Sequence, residues 1–239
     1  MTTAPFDSCV AEIDHAYAAL GYSLGWRFLN VCRKVLDAPV RVMLLTLNPG
    51  GDTIPPDHPW ASCENGSSYV VEKWDEKKPP GKATLQVEVQ SMFAEIAKGL
   101  AFPGTPIQLL ESSLISQFVP FRSPRFAALP KQAQALQFAR GLWARALPVV
   151  QPRVIVCLGR EVQRELRALI PIALDAELVG TTSYETGWGT YKADIDHYAR
   201  KDVSIRLLYL PHLSTWTLFT SSKCKSFMPG IIHEATKDA

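Results

Sequence analysis

Four apolar runs, three of them closed by a polar or proline-bearing break, constrain this chain more than any other feature. They are Val42 to Leu47, Ile107 to Val119, Val154 to Leu158 and Val203 to Leu210. A short unbroken apolar run suits a strand covered on both faces, because successive side chains point to opposite sides of a sheet. The stretches between the runs carry helical periodicity, and strands alternating with helices imply parallel pairing. The expected fold is α/β, a three-layer α/β/α sandwich around a central, mainly parallel four-stranded sheet. At 239 residues the chain suits one core, so residues 1–239 read as a single domain, with helices of residues 1–38 packed on it.

The intervening segments follow the same logic. Residues 7 to 36 read as two helices, the first capped by Asp7 or Ser8 and ended by Gly21. The second carries Leu24, Phe28, Val31 and Val35 on one side. Leu85, Val89, Met92, Phe93, Ile96 and Leu100 mark an amphipathic helix, and Lys131 to Leu147 another. Gly159 opens a helix whose Arg160, Arg164 and Arg167 alternate with Glu161 and Glu165, a pattern that suits a salt-bridged outer face. Ala176 to Tyr191 reads as a strand or hairpin turning at Gly187-Trp188-Gly189. Residues 48 to 83 form a long irregular segment, of the kind that is usually functional or disordered. Its charge run from Glu72 to Lys78 reads as solvated surface.

Composition removes several classes of function. Apolar residues make up 47% of the chain, yet no run approaches the ~20 needed to cross a bilayer, and the N-terminus lacks the pattern of a secretory signal. The five cysteines are scattered without a Cys-x-x-Cys pair, which speaks against a disulfide framework, a zinc site or an iron–sulfur cluster. A reducing cytoplasm is the expected compartment. The net charge of +2 leaves any nucleic-acid footprint to a local patch.

Ligands of open α/β sheets bind beyond the carboxyl ends of the strands, so the breaks themselves are the candidate site. The first run stops at Asn48-Pro49-Gly50-Gly51, the second at Gln117 to Pro124, and the fourth at His212-Leu213-Ser214. Proline cannot donate to a ladder and glycine permits backbone angles other residues avoid, so Asn48-Pro49-Gly50-Gly51 ends its strand by itself. Right-handed crossovers bring the three ends to one edge.

Together these segments resemble the uracil-DNA glycosylase superfamily, and most of all its mismatch-specific and single-strand-selective branches. Thr46-Leu47-Asn48-Pro49-Gly50 is similar to their Gly-x-Asn-Pro-Gly motif, with Thr in place of the leading Gly. Pro59-Trp60 stands where those branches have a Pro-Phe pair whose Phe stacks on the flipped base. Ser116-Gln117-Phe-Val-Pro-Phe-Arg122-Ser-Pro124 lies over the base-reading strand end, with Gln117 at the position of an Asn. Val154-Ile-Val-Cys-Leu-Gly159 resembles the third strand. His212-Leu213-Ser214-Thr215 resembles the last motif, His-Pro-Ser-Pro, without its prolines. The likeness extends over residues 40 to 220.

The resemblance implies a monofunctional glycosylase that flips a base from DNA and hydrolyses its N-glycosidic bond, without metal or organic cofactor. Asn48 then orients the attacking water through its amide oxygen, and a neutral His212 donates to the base oxygen as negative charge develops. Trp60 stacks on the base, Gln117 reads its edge with one donor and one acceptor, and the Gly50 and Gly51 amides add donors. Arg122, Arg125, Ser214, Trp216, Lys223 and Lys225 are the expected DNA contacts, with Trp216, Leu218 and Phe219 as wedge candidates. The expected partner is DNA, met by a monomer, and no membrane. Thr46, Gln117 and the missing prolines equally suit a member that binds nucleic acid without cleaving it. A hydrolase of free nucleosides is a further alternative.

Overall fold

A computed structural model describes residues 5–53, 60–201 and 203–239. Pro55, Pro56, His58 and Pro59 of the long irregular segment lie outside them. In chain order the main elements are α1 (Pro5–Leu20), β1 (Val42–Thr46), α2 (Ser68–Val71), α3 (Thr84–Gly99), α4 (Pro106–Glu111), β2 (Leu114–Gln117) and α5 (Gln132–Val150). They continue with β3 (Val154–Leu158), α6 (Arg160–Leu174), β4 (Glu177–Glu185), β5 (Lys192–Arg200), β6 (Val203–Leu210) and α7 (Met228–Thr236).

The protein is α/β, and its described strands form one six-stranded mixed sheet in the order β2-β1-β3-β6-β5-β4. β2, β1, β3 and β6 run parallel, as the four apolar runs predict. All residues of β1, β2 and β3 are buried, so this half of the sheet is covered on both faces. β4 and β5 add an antiparallel hairpin beside β6, which corrects the four-stranded expectation. The strand or hairpin expected over Ala176 to Tyr191 is β4 with its turn at Gly187-Trp188-Gly189, but its place in the same sheet is concealed for two reasons. β4 is an exposed edge strand rich in Thr and Ser, and β5 buries Asp194 and Asp196 where apolar residues would be read. Those carboxylates pair with Arg160 and with Arg167, the latter at 2.6 Å. The arginine stripe of α6 is therefore salt-bridged as expected, but to the sheet as well as along its own helix.

Three further expectations change. Residues 24–36 are not a second helix. They run as an extended segment with bridges Trp26↔Phe121 and Leu29↔Ser116, then a 3-10 turn at Arg33–Leu36. Residues 25–31 are all buried, and Arg27, Phe28, Leu29 and Asn30 donate their amides to two distant segments, Trp60 and Ala61 on one side and Ile115 and Pro120 on the other. A surface helix buries one stripe only, so burial on all sides selects extended backbone. The first half of the run from Ile107 is helix α4, started by Thr105, whose hydroxyl accepts from Gln108 N at 3.2 Å, and by Pro106. Finally, Glu72 leaves the charged run and turns inward to Arg27 at 2.6 Å.

Candidate functional site

Strand register places the candidate residues on one edge. Thr46 pairs with Gln117, Leu45 with Cys157 and Leu158 with Leu210. All four parallel strands therefore end at one level. Asn48 follows β1, Gly159 follows β3 and His212 follows β6 at the same carboxyl edge. β3 alone separates β1 from β6, so Asn48 and His212 stand two strand spacings apart, about 10 Å. Between them lies Gly159, whose φ of +107° favours glycine and which brings no side chain into the gap.

Asn48 is anchored by its nitrogen. Nδ2 donates to Ser123 Oγ at 2.9 Å, to Pro49 O at 3.0 Å and to Phe121 O at 3.4 Å. Ser123 Oγ passes its own proton to Arg125 O at 3.0 Å, which leaves it an acceptor toward Asn48. No described residue donates to Asn48 Oδ1, so the side chain offers a fixed acceptor. Its turn is clasped from below. Arg122, expected as a phosphate contact, is buried at 9% exposure and gives Nη1 to Gly50 O. This corrects its assignment, because a guanidinium under the turn shapes the loop and does not meet a backbone phosphate. Burial, then the neighbouring Arg27 charge, pulls its pKa down. Gly51 has φ +102°, and a Cβ at this position would lie only 3.3 Å from Arg122 Nη1, so the turn requires glycine there. Both glycines are exposed.

His212 has a defined tautomer. The Ser214 amide donates to Nδ1 at 3.3 Å, and Ser214 Oγ lies 2.8 Å from the same atom. An amide N–H can only donate, so Nδ1 is the acceptor and the ring proton sits on Nε2. Burial pushes the His212 pKa below its ordinary 6.5, which keeps the ring neutral at pH 7. No described residue takes the Nε2–H. Ser214, predicted as a DNA contact, thus has a nearer task in setting this proton.

Gln117 closes β2, buried at 8% exposure, and its Oε1 accepts from Asn30 Nδ2 at 3.1 Å. Asn30 carries no signal of its own in the sequence, because it lies in the stretch whose spacing reads as a helix. Trp60 is packed into an aromatic cluster, edge to face with Trp26 at 5.7 Å and with Tyr17 at 6.2 Å. Beyond His212, Trp216 meets Tyr191 at 3.9 Å and Trp188 at 5.7 Å, which docks the β4–β5 turn onto this segment. Lys223 Nζ lies 6.0 Å from the Trp188 ring. Arg125, Lys223 and Lys225 are exposed and Trp216 half-buried, as surface contacts require. Leu218 and Phe219 are not wedges. Their exposures of 0% and 8% place them in the core.

Glu88 is a residue the sequence does not reveal. It is fully buried on α3 and accepts from Phe219 N at 2.8 Å, Thr220 N at 3.1 Å and the Thr220 hydroxyl. It ties the segment after His212 to the helix beneath. Among the described residues no group of three His, Cys, Asp or Glu side chains is placed to hold a metal ion, and no helix is long and apolar enough to cross a membrane. The chain matches no known family model and no curated protein sequence.

Proposed function

We propose that the protein is a monofunctional DNA glycosylase that hydrolyses the N-glycosidic bond of a deaminated or mismatched, uracil-like base flipped out of DNA. The observation that carries this reading is a complementary pair at one carboxyl edge, on either side of Gly159: an anchored acceptor at Asn48 Oδ1 and a donor at His212 Nε2. A base between them receives a hydrogen bond from the imidazole as its glycosidic bond lengthens. Water held by Asn48 meets the cation-like sugar carbon. Its hydroxyl ends on C1′ and its remaining proton is left for the departing base. A weak acceptor such as an amide oxygen suits a dissociative reaction, in which the nucleophile arrives late and needs orientation more than activation.

The same reading places the opening of helix α6 at Gly159 beside the departing base, where the positive end of the helix favours developing negative charge. Trp60 and the Gly50 and Gly51 amides complete the base pocket, and Arg125, Trp216, Lys223 and Lys225 track the DNA. It carries the finer fold expectation as well: α1, α5 and α6 form one packed group, and α3, α4 and α7 another, as a three-layer α/β/α arrangement requires. The protein acts as a cytoplasmic monomer without metal or organic cofactor. A second reading, binding without cleavage, is favoured by Trp60, whose contacts with Tyr17 and Trp26 occupy part of the ring expected to stack on a base.

Single-turnover incubation with oligonucleotides bearing uracil, hypoxanthine, xanthine or mismatched thymine, single- and double-stranded, separates the two. A glycosylase produces alkali-labile abasic sites that disappear in Asn48→Ala while DNA binding persists. No product from any substrate, with binding intact, supports the binding module.

A further inference from the structure

The amino edge of the sheet, opposite the candidate site, carries cations of its own. Arg41 precedes β1, Arg153 precedes β3, and Arg200 and Lys201 lead from β5 into β6. Strand pairing gathers them. Arg153 N donates to Arg41 O at 3.2 Å, Arg206 N donates to Arg153 O at 2.8 Å, and Arg200 lies opposite Val203. Arg153, Arg200 and Lys201 line one cleft of about 370 Å³, together with Pro152, Leu174 and Ile205. Leu174 and Ile205 are buried while Arg153 and Lys201 are exposed, which sets an apolar floor under a charged rim. Among the described residues no carboxylate lines this cleft.

Elsewhere the arginines of this protein have partners: Arg27, Arg140, Arg160 and Arg167 each hold a carboxylate. Even at the amino edge, Arg206 faces Asp238 at 3.9 Å and Arg41 donates to Ala239 O at 3.4 Å. The side chains of Arg153, Arg200 and Lys201 meet no hydrogen-bond or ion-pair partner among the described residues. Three cations around one cleft repel one another until an anion joins them. Lys201 also sits at φ +49°, a backbone that glycine takes freely and lysine takes with strain.

We propose that this cleft binds a small organic phosphate monoester, its phosphate held by Arg153, Arg200 and Lys201 and its apolar body laid against Leu174 and Ile205. A guanidinium fork matches phosphate oxygens two at a time, and a monoester carries close to two negative charges at neutral pH, so it answers three cations better than a single carboxylate does. The volume lies at the low end of the range for small-molecule sites, about 300–1,000 Å³, and leaves room for more than a bare phosphate. The five residues of β3 put about 16 Å between this cleft and the carboxyl edge. The proposal is therefore independent of the reaction assigned to Asn48 and His212.

Calorimetric titration of the whole protein with phenyl phosphate, inorganic phosphate and benzoate tests it. Phenyl phosphate is expected to bind most tightly, ahead of inorganic phosphate through its buried ring and of benzoate through its charge, by about tenfold in each case. Arg153→Gln and Arg200→Gln each weaken it by about tenfold. Lys201→Gly removes a charge and relieves the backbone together, so it weakens binding while the melting temperature holds or rises, which separates lost recognition from lost folding. Amide NMR shifts on titration fall at residues 151–153 and 200–205. No saturable binding of phenyl phosphate, benzoate bound as tightly, or unchanged affinity in Lys201→Gly and both glutamine variants overturns the proposal. So does an oligonucleotide without a terminal phosphate that binds these residues more tightly than phenyl phosphate, which makes the edge a track for nucleic-acid backbone.

Discussion

Replacing Glu88 by alanine tests how the segment carrying His212 and Trp216 is held. The carboxylate accepts three hydrogen bonds from Phe219 and Thr220, across 131 and 132 positions of sequence. Its removal leaves the buried Phe219 N–H without an acceptor, at about 1–3 kcal/mol, and deletes two bonds to Thr220. Relief from burying the carboxyl group offsets part of this, and the loss of all three bonds is expected to cost about 3–5 kcal/mol in sum. For a domain of this size that lowers the melting temperature by about 6–20 °C. Glu88→Gln keeps one acceptor oxygen and is expected to lose about 1–2 kcal/mol. Urea unfolding gives the two energies, and amide exchange at Phe219 and Thr220 localises the effect. If Glu88→Ala unfolds within about 1 kcal/mol of the wild type, or leaves exchange at Phe219 unchanged, the anchor assigned to Glu88 is wrong.

Other consequences follow from the same geometry. Leu218→Ala is expected to cost about 2–5 kcal/mol of stability with little effect on DNA affinity, the opposite of what a wedge would do; urea unfolding and fluorescence anisotropy measure the two. Between its depressed native pKa and 6.5 the unfolded chain binds a proton at His212 that the folded chain refuses. Stability therefore falls as pH drops through that window, by up to about 1.4 kcal/mol per pH unit. His212→Gln should flatten that slope, leaving the part due to His197, whose pKa burial and Arg206 also lower. Neutral substitutions at Arg125, Lys223 or Lys225 should each reduce the salt dependence of DNA binding by about 0.7–0.9 in log–log slope, if the residue meets a phosphate.

The parallel half of the sheet was legible because nothing competes with its signal: Val42 to Leu47 and Val154 to Leu158 have one reading, and both are strands. Its partner hairpin was legible only in part: Ala176 to Tyr191 gives β4 and the turn at Gly187-Trp188-Gly189, whereas β5 is hidden because Asp194 and Asp196 are buried through ion pairs with arginines on another element. Residues 24–36 misled for a different reason. Leu24, Phe28, Val31 and Val35 fit a helical spacing, and only contacts far along the chain reveal that Trp26, Leu29 and Asn30 are buried as well. The strand-end residues could be located from their breaks alone, but their chemistry could not. That Asn48 points an oxygen outward depends on Ser123, and that His212 carries its proton on Nε2 depends on Ser214.

The claim that the strand ends receive a base is tested most directly by nitrogen-15 NMR of His212, read with and without an oligonucleotide carrying a non-cleavable 2′-fluoro-deoxyuridine. The structure predicts a neutral ring protonated on Nε2 at pH 7, and a shift of that nitrogen when the uracil analogue binds but not when undamaged DNA does. A ring protonated on Nδ1, a charged imidazolium, or an Nε2 resonance indifferent to the analogue would contradict it.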